Sequence, residues 1–274
     1  MSLWVNGLLI ILKKMTLLVN GCSFTYGDEL PNHEEERFST HLGKLLDIDV
    51  VNAAWPGSSN ERIWRTTKEH LFLNRNITKC LILWSDFARV ENVHLESNML
   101  NYQGGKVKKG NKLYDEGGKF LMPDPFFQFS PSRLNTMPWK ILKDQYADYY
   151  SNVYTNETGI CKTFNYIVDI LETCKLLNVE YYQGWFHQGN EYTMRKSFND
   201  YNANVKGDRL VPIKEYVDAR LSRLMGRQRI GFDNDSMSFN EFTEKNNLDK
   251  MPEGHPGPKA HKEYAKYLYE NFMR

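Results

Sequence analysis

Short apolar segments alternate along this chain with segments whose apolar residues recur at helical spacing, and this alternation strongly limits the possible folds. The apolar segments, at residues 16–20, 50–54, 80–84 and 179–185, do not follow a regular polar–apolar alternation. Strands of this kind are buried on both faces, as in a parallel sheet with helices on each side. The sequence therefore predicts an α/β fold in which helices cover both faces of a parallel sheet.

The predicted helices have recognisable faces and starts. Phe38 and Leu42 are one helical turn apart, which indicates a helix with an apolar face. Ser58, followed three residues later by Glu61, matches a capping box and predicts a helix that continues to about residue 74. Further helices are predicted at about 158–177 and at the end of the chain.

Two irregular stretches, at about 95–155 and about 187–250, interrupt this pattern. No internal repeat or low-complexity tract divides the chain, so we interpret residues 1–274 as a single domain with two large insertions. Residues 1–14 precede a segment that is already a complete first strand. We interpret them as an extra strand or a non-native extension.

Composition and charge exclude several classes of protein. The chain has 35 Lys and Arg against 34 Asp and Glu, which argues against nucleic acid as the main partner. The apolar run at 7–12 is too short to span a bilayer. Lysines follow this run, whereas in a signal peptide the positive charges precede the apolar region. The four cysteines form no C-x-x-C pair and suggest no disulfide scaffold. We expect a soluble, cytoplasmic protein without metal, organic cofactor or membrane partner.

The first candidate site follows the first predicted strand, in the segment Gly21-Cys-Ser-Phe-Thr-Tyr-Gly-Asp28. A serine in a glycine-flanked turn between a strand and a helix exposes its hydroxyl beside backbone N–H groups, which suits a nucleophile. Ser23 is that serine. The alternatives are a helix N-cap or a phosphate-binding turn, although the segment has no Gly-Lys-Ser/Thr sequence.

Two further polar segments follow the second and third predicted strands. In the second, Gly57 offers a backbone N–H and Asn60 a side-chain amide to a developing oxyanion, or these residues simply belong to a capped helix. In the third, Ser85, Asp86 and Arg89 are candidate substrate-binding residues. An ionised Asp86 would repel an oxyanion, so we expect it to hold a loop as a hydrogen-bond acceptor. The alternative for Arg89 is a surface ion pair.

The fourth segment, Glu253-Gly-His255-Pro, precedes the last helix. A histidine in a loop at the strand ends of an α/β chain with a candidate serine is a candidate general base. Glu253 is the candidate carboxylate for orienting the imidazole, Asp249 is a weaker choice, and a Ser–His dyad without a carboxylate is the remaining alternative. We expect His261, inside the helix, to have a packing or hydrogen-bonding role.

Together the four segments resemble the four blocks of the SGNH hydrolases, the GDSL-like esterase and lipase superfamily, over about half the chain. Two departures stand out: Cys22 replaces the family's Asp before the nucleophile, as in GCSFT-type members, and the third-block Gly-x-Asn-Asp is absent. The resemblance implies a three-layer α/β/α, flavodoxin-like fold. It also implies that Ser23 attacks an ester carbonyl with His255 as base, and that the N–H groups of Ser23 and Gly57, with an Asn side chain, hold the oxyanion.

The expected function is therefore that of a serine esterase acting on an O-acyl ester, small or attached to a carbohydrate, through an acyl-enzyme on Ser23. The alternative is a catalytically weak or inactive module of the same fold that binds a glycan or a protein. Residues 101–200 hold 19 of the 37 aromatic residues, including Trp139, Tyr146, Tyr149 and Tyr150. We interpret this aromatic-rich insertion as a lid, a sugar-stacking wall or a subsidiary core.

Overall fold

The computed structural model describes residues 14–93, 147–154, 156–186 and 237–274, with the backbone alone of short strands at 2–5, 8–11 and 126–129. Most of both predicted insertions, including Trp139 and Tyr146, lies outside the described residues.

The described elements follow the predicted alternation of strands and helices. The strands are β1 (Ser2–Val5), β2 (Leu8–Ile11), β3 (Thr16–Asn20), β4 (Asp49–Asn52), β5 (Ile77–Trp84), β6 (Val90–Val93), β7 (Phe126–Phe129) and β8 (Glu180–Trp185). The helices are α1 (Ser23–Tyr26), α2 (His33–Glu36), α3 (Phe38–Leu46), α4 (Asn60–Leu73), α5 (Asn156–Leu176), α6 (Phe239–Lys245) and α7 (Pro258–Leu268), which continues into a π-helical turn, Tyr269–Met273.

The central sheet has four parallel strands in the order β4-β3-β5-β8. Because the first of these strands lies inside the sheet with the second and third on opposite sides of it, the order is the flavodoxin-like one. The strands are joined by helices, as parallel strands require. The predicted flavodoxin-like parallel sheet is therefore confirmed.

Each face of the sheet is buried by its own set of helices. Alternate β5 residues divide between the faces: Cys80 and Ile82 pack with α4 and α5, whereas Leu81 and Leu83 pack with α3, α6 and α7. This burial on both sides explains why the strands are apolar throughout. The result is the predicted three-layer α/β/α arrangement.

One local prediction needs correction. The N-cap of α4 is Ser59, whose side chain accepts a hydrogen bond from the Arg62 N–H, whereas the Ser58 hydroxyl donates to the Trp55 carbonyl at 2.7 Å. The predicted capping box of Ser58 and Glu61 is therefore wrong: the N-cap is one residue later, and the residue three after it is Arg62. Residues 2–5 and 8–11 form two strands, paired antiparallel with each other as a separate two-stranded sheet.

The fold brings the polar segments to one edge of the sheet. Ser23, Gly57 and Ser85 lie in the segments that follow β3, β4 and β5, whose carboxyl ends meet at that edge. The chain leaves β3 towards β4 on one side and leaves the neighbouring β5 towards β8 on the other, and ligands of open α/β sheets bind where connections diverge in this way. No helix among the described residues is long and apolar enough to cross a membrane.

Candidate active site

Ser23 is the first residue of α1 and lies directly after the β3 strand end. Its side chain is largely buried, with 6% of the residue exposed. Within the part of the chain that the structure describes, the Ser23 hydroxyl makes no hydrogen bond and its backbone N–H has no acceptor. The serine therefore offers both an uncommitted hydroxyl and an uncommitted N–H at the sheet edge.

Gly57 supplies a second backbone N–H from the loop after β4. Its φ of 79° is in the left-handed region that glycine adopts without strain. Its N–H likewise has no acceptor among the described residues. Backbone hydrogen bonds from Ala53 to Val19 and from Trp55 to Gly21 fix this loop beside the Ser23 turn. The arrangement is consistent with the two predicted backbone donors of an oxyanion hole.

His255 lies in a tight turn between α6 and α7. The Met251 N–H donates to the His255 carbonyl at 2.7 Å, and Gly254 has a φ of 91°. The imidazole packs against Phe24, the residue after Ser23, with 5.3 Å between the ring centroids. The fourth predicted segment is thus adjacent to the first, although no hydrogen bond joins the Ser23 hydroxyl to His255.

The imidazole is held by Glu29, which the sequence analysis did not identify. His255 Nδ1 donates to Glu29 Oε2 at 2.6 Å, and the Glu253 N–H donates to Glu29 Oε1 at 3.0 Å. Partial burial raises the pKa of the Glu29 carboxyl, but the hydrogen bonds from His255 and from the Glu253 N–H outweigh it and hold the pKa below its usual value. An ionised Glu29 fixes the hydrogen of His255 on Nδ1 and leaves Nε2 as a proton acceptor.

The Glu29 backbone is in a conformation that glutamate seldom adopts. Its φ is 66°, and the described non-glycine residues that share a positive φ are Asp and Asn. A left-handed residue costs roughly 1–2 kcal/mol for a side chain with a Cβ, and such strain concentrates at functional sites. The one sequence feature that could have pointed to Glu29 is its position directly after the Gly21–Asp28 segment.

The two carboxylates predicted to orient His255 have other positions. Glu253 contributes its backbone N–H to Glu29, and its carboxylate makes no hydrogen bond with the imidazole. Asp249 accepts the N–H groups of Lys259 and Ala260 and so caps the start of α7. In the structure, the predicted role of Glu253 therefore falls to Glu29.

The same cluster contains the atoms of a conceivable cation site. One carboxylate or imidazole atom each from Glu29, Glu253 and His255 lie within 4.8 Å of one another. His255 Nδ1 and Glu29 Oε2 are already hydrogen-bonded, so a cation there would compete with that bond.

Asn60 does not have the predicted oxyanion role in this geometry. Its Nδ2 donates to the Ser85 carbonyl at 3.0 Å and to Thr163 Oγ1 at 3.1 Å, and its Oδ1 accepts the Ser85 N–H at 2.7 Å. An amide has two N–H hydrogens, and both are used. Asn60 therefore ties the end of β5 to α4 and α5.

Replacing Asn60 with alanine is expected to lower the free energy of unfolding by about 2–4 kcal/mol. The buried Ser85 N–H and carbonyl lose the Asn60 amide, and Thr163 Oγ1 keeps only its hydrogen bond to the Gly159 carbonyl. Urea unfolding of Asn60→Ala measures this loss. Asn271→Ala is the matched control, since the Asn271 amide donates to the Tyr267 carbonyl at an exposed position, and it should change stability by less than about 0.5 kcal/mol. A stable Asn60→Ala variant without esterase activity would instead indicate an oxyanion donor.

The third segment organises the loop after β5. Asp86 Oδ1 accepts the Ala88 N–H at 2.9 Å, as expected for an acceptor that holds a loop. Arg89 donates to Ser85 Oγ at 2.9 Å and lies over the Phe186 ring. It does not pair with Glu91, which binds Arg65 instead. Ser85 is fully buried, so a substrate can reach Asp86 and Arg89 more readily than Ser85.

His261 is a buried packing residue, as expected. Its Nδ1 accepts the Phe38 N–H at 3.0 Å, and burial lowers its pKa to about 3. A protonated imidazole could not accept that hydrogen bond. The native state therefore holds His261 neutral throughout the pH range in which the unfolded chain protonates it.

The stability of the protein should consequently fall as the pH drops from about 6.5 towards about 3. For His261 alone the loss between pH 7 and pH 5 is about 2 kcal/mol. Urea unfolding at the two pH values measures it, with His261→Gln as the comparison because glutamine keeps an acceptor and does not titrate. Equal losses in both proteins would contradict this assignment.

The described part of the aromatic-rich insertion packs onto the β5 loop. Tyr149, Tyr150 and Tyr154 contact one another at centroid distances of 5.3–6.1 Å. The Tyr150 hydroxyl donates to the Ala88 carbonyl at 2.8 Å, and that of Tyr154 to the Phe87 carbonyl at 3.2 Å. These three half-buried residues thus form an aromatic cluster on the β5 loop, and the three alternatives for the insertion as a whole stay predictions.

The chain is similar in structure to lipolytic proteins and esterases. A lipolytic protein of the G-D-S-L family from Desulfitobacterium hafniense is 12% identical, with a TM-score of 0.45 over 94% of this chain and 99% of that one. A member from Veillonella parvula is 10% identical, with a TM-score of 0.47 over 95% and 99%. An acetyl xylan esterase from Butyrivibrio proteoclasticus is 14% identical, with a TM-score of 0.41 over 96% and 65%.

No family model and no curated protein matches the chain. At such identities and scores, the matched structures assign no role to individual residues of this chain. The roles of Ser23, His255 and Glu29 rest on the contacts described above.

Proposed function

We propose that this protein is a serine hydrolase of O-acyl esters, with Ser23 as nucleophile, His255 as general base and Glu29 as the carboxylate that orients the base. The observation that carries the proposal is the Glu29–His255 hydrogen bond of 2.6 Å, next to an uncommitted serine at the carboxyl edge of the sheet. This is the combination of nucleophile, base and orienting group that activates a serine.

In the first half of the reaction, the Ser23 hydroxyl transfers its proton to His255 Nε2 while Oγ bonds to the carbonyl carbon. The carbonyl oxygen becomes an oxyanion, which the N–H groups of Ser23 and Gly57 stabilise. The tetrahedral intermediate then breaks its bond to the alcohol oxygen, which takes the proton from Nε2. The products of this half are the free alcohol and an acyl-enzyme on Ser23.

In the second half, a water molecule gives a proton to Nε2 and its oxygen attacks the acyl carbon. The bond from the acyl carbon to Oγ then breaks, Oγ recovers the proton, and the carboxylic acid leaves. A positioned general base contributes roughly 10²–10⁴-fold to such a reaction, and each oxyanion donor about 10²–10³-fold. Glu29 stabilises the imidazolium in both halves without itself taking the proton.

The proposed function is tested by rapid mixing of the wild-type protein with p-nitrophenyl acetate. We expect a burst of p-nitrophenol close to one equivalent of protein, followed by slower steady turnover, because an acyl-enzyme accumulates when its hydrolysis is the slower step. Steady turnover at a comparable rate in Ser23→Ala would contradict the proposal.

A second candidate is a binding module of the same fold with little or no turnover. The observation that favours it is the lack of a hydrogen bond between the Ser23 hydroxyl and His255 in the described contacts. Catalytic hydrogen bonds are often long without substrate and shorten when it binds, so this observation is also compatible with the enzyme. A wild-type protein that releases no p-nitrophenol above background would favour the binding module.

A further inference from the structure

We propose that Tyr26 and Trp55 form a stacking site for the sugar ring of an O-acylated carbohydrate, so that the alcohol released by the enzyme is a sugar hydroxyl. This inference rests on the proposed ester hydrolysis and specifies the alcohol. The two rings meet edge to face, with centroids 5.6 Å apart and planes at 63°. We call this pair the aromatic corner.

The aromatic corner lies beside the nucleophile. Tyr26 is three residues after Ser23 in α1, and residues at that spacing share one helical face. Trp55 is two residues before Gly57, and its N–H donates to the Gly21 carbonyl at 3.3 Å. Both residues therefore belong to the segments that carry the nucleophile and the two backbone donors.

The polar ends of both rings are uncommitted. Tyr26 and Trp55 are half-buried, and neither the Tyr26 hydroxyl nor the Trp55 indole N–H has a hydrogen-bond partner in the described structure. Other half-buried tyrosines do have a partner: the hydroxyls of Tyr150 and Tyr154 donate to backbone carbonyls of the β5 loop. The aromatic corner thus presents partly exposed aromatic surface together with an indole N–H and a hydroxyl that make no hydrogen bond within the described structure.

The aromatic corner is also fixed before any ligand binds. His33 stacks on Tyr26 with 4.6 Å between centroids and planes at 20°. On the other side, Trp55 is held by its backbone hydrogen bond to Gly21 and is followed by Pro56, whose ring restricts the chain. A preformed surface loses little conformational entropy on binding, which favours affinity for a rigid ring.

A sugar ring matches this surface better than an alkyl chain does. One face of a pyranose presents C–H groups that pack on an aromatic ring, and its edge presents hydroxyls that bind an indole N–H and a phenol. An alkyl chain would use the faces and leave both polar groups without a partner. A p-nitrophenyl ring could itself stack there, so p-nitrophenyl esters do not distinguish the two.

The test compares kcat/KM for a mono-acetylated methyl xyloside with kcat/KM for ethyl acetate. Both substrates give the same acetyl-enzyme, so the ratio of the two kcat/KM values measures only the preference for the alcohol part of the ester. In Trp55→Ala and Tyr26→Ala we expect this ratio to fall about 10- to 100-fold, the range expected when a central aromatic contact is lost. Phe72→Ala, which removes an aromatic residue that is 47% exposed on α4, should leave the ratio unchanged.

An unchanged ratio in Trp55→Ala and Tyr26→Ala would overturn the aromatic corner while leaving ester hydrolysis in place. If the wild-type protein hydrolyses neither substrate, the proposed function fails. Saturation-transfer NMR with methyl xyloside then tests independently whether the aromatic corner binds a sugar. Binding to the wild type that is lost in Trp55→Ala would support the corner. Absence of binding to the wild type would overturn it.

Discussion

Ser23→Ala is expected to lower kcat for p-nitrophenyl acetate by about 10⁴-fold or more, because the variant lacks the hydroxyl on which the proposed acyl-enzyme forms. The oxyanion donors are backbone groups and remain, so some residual catalysis is expected. The Ser23 hydroxyl makes no hydrogen bond within the described residues, and its loss should change the free energy of unfolding by less than about 1 kcal/mol.

The matched control is Ser151→Ala, which makes the same chemical change at an exposed position in the helical residues 147–152. It should retain wild-type kcat. Urea unfolding of both variants separates loss of chemistry from loss of fold. A Ser23→Ala protein with wild-type kcat would exclude Ser23 as the nucleophile.

Glu29→Gln is expected to lower kcat by about 10³–10⁴-fold, because the amide cannot satisfy both of its neighbours. The Glu29 carboxylate now accepts from the Glu253 N–H and from His255 Nδ1. A glutamine must turn its NH₂ towards one of them. Facing the imidazole, the NH₂ group would favour the tautomer with hydrogen on Nε2, which cannot take the proton of Ser23.

Glu253→Gln provides a sharp comparison, since the Glu253 carboxylate lies in the same cluster but does not bind the imidazole. We expect its kcat to remain within about threefold of wild type, an effect of less than about 1 kcal/mol. The pH–rate profile of Glu29→Gln should also change, because the charge that stabilises the imidazolium is gone. A large loss in Glu253→Gln with little loss in Glu29→Gln would reverse the assignment.

The sheet and its order of segments could be predicted because they depend on local patterns. The apolar run from Thr16 to Asn20 and the helical spacing of Phe38 and Leu42 show which residues are buried. Such patterns can be recognised within each segment alone. The candidate serine and histidine were also recognisable, since each stands at the end of such a segment. Local pattern and topology together placed Ser23 and His255 near each other.

Contacts between distant segments could not be predicted in the same way. Glu29 and His255 are 226 residues apart, and their pairing depends on where two loops meet. Glu253 seemed the natural choice because it is near His255 in the chain, yet its side chain is not the one that binds Nδ1. The prediction for Asn60 failed for a related reason. Its amide donates to Ser85 and Thr163, which are distant in the sequence, so its neighbours along the chain do not reveal these hydrogen bonds.

Aromatic content was also an incomplete guide to substrate binding. The excess in residues 101–200 drew attention to the insertion, where the described tyrosines pack onto the β5 loop. Tyr26 and Trp55 lie outside that window, within the first two motif segments. Their significance depends on exposure and on the absence of polar partners in the described structure, neither of which composition reports.

The central claim is that Glu29 and His255 activate Ser23, and covalent labelling by a fluorophosphonate tests it most directly. Attack by Oγ forms an oxygen–phosphorus bond and expels fluoride, and peptide mass spectrometry then locates the adduct. We predict a single adduct on Ser23 in the wild type and labelling at least about 100-fold slower in Glu29→Gln. An adduct on another residue, or equal labelling rates in the two proteins, would contradict the claim.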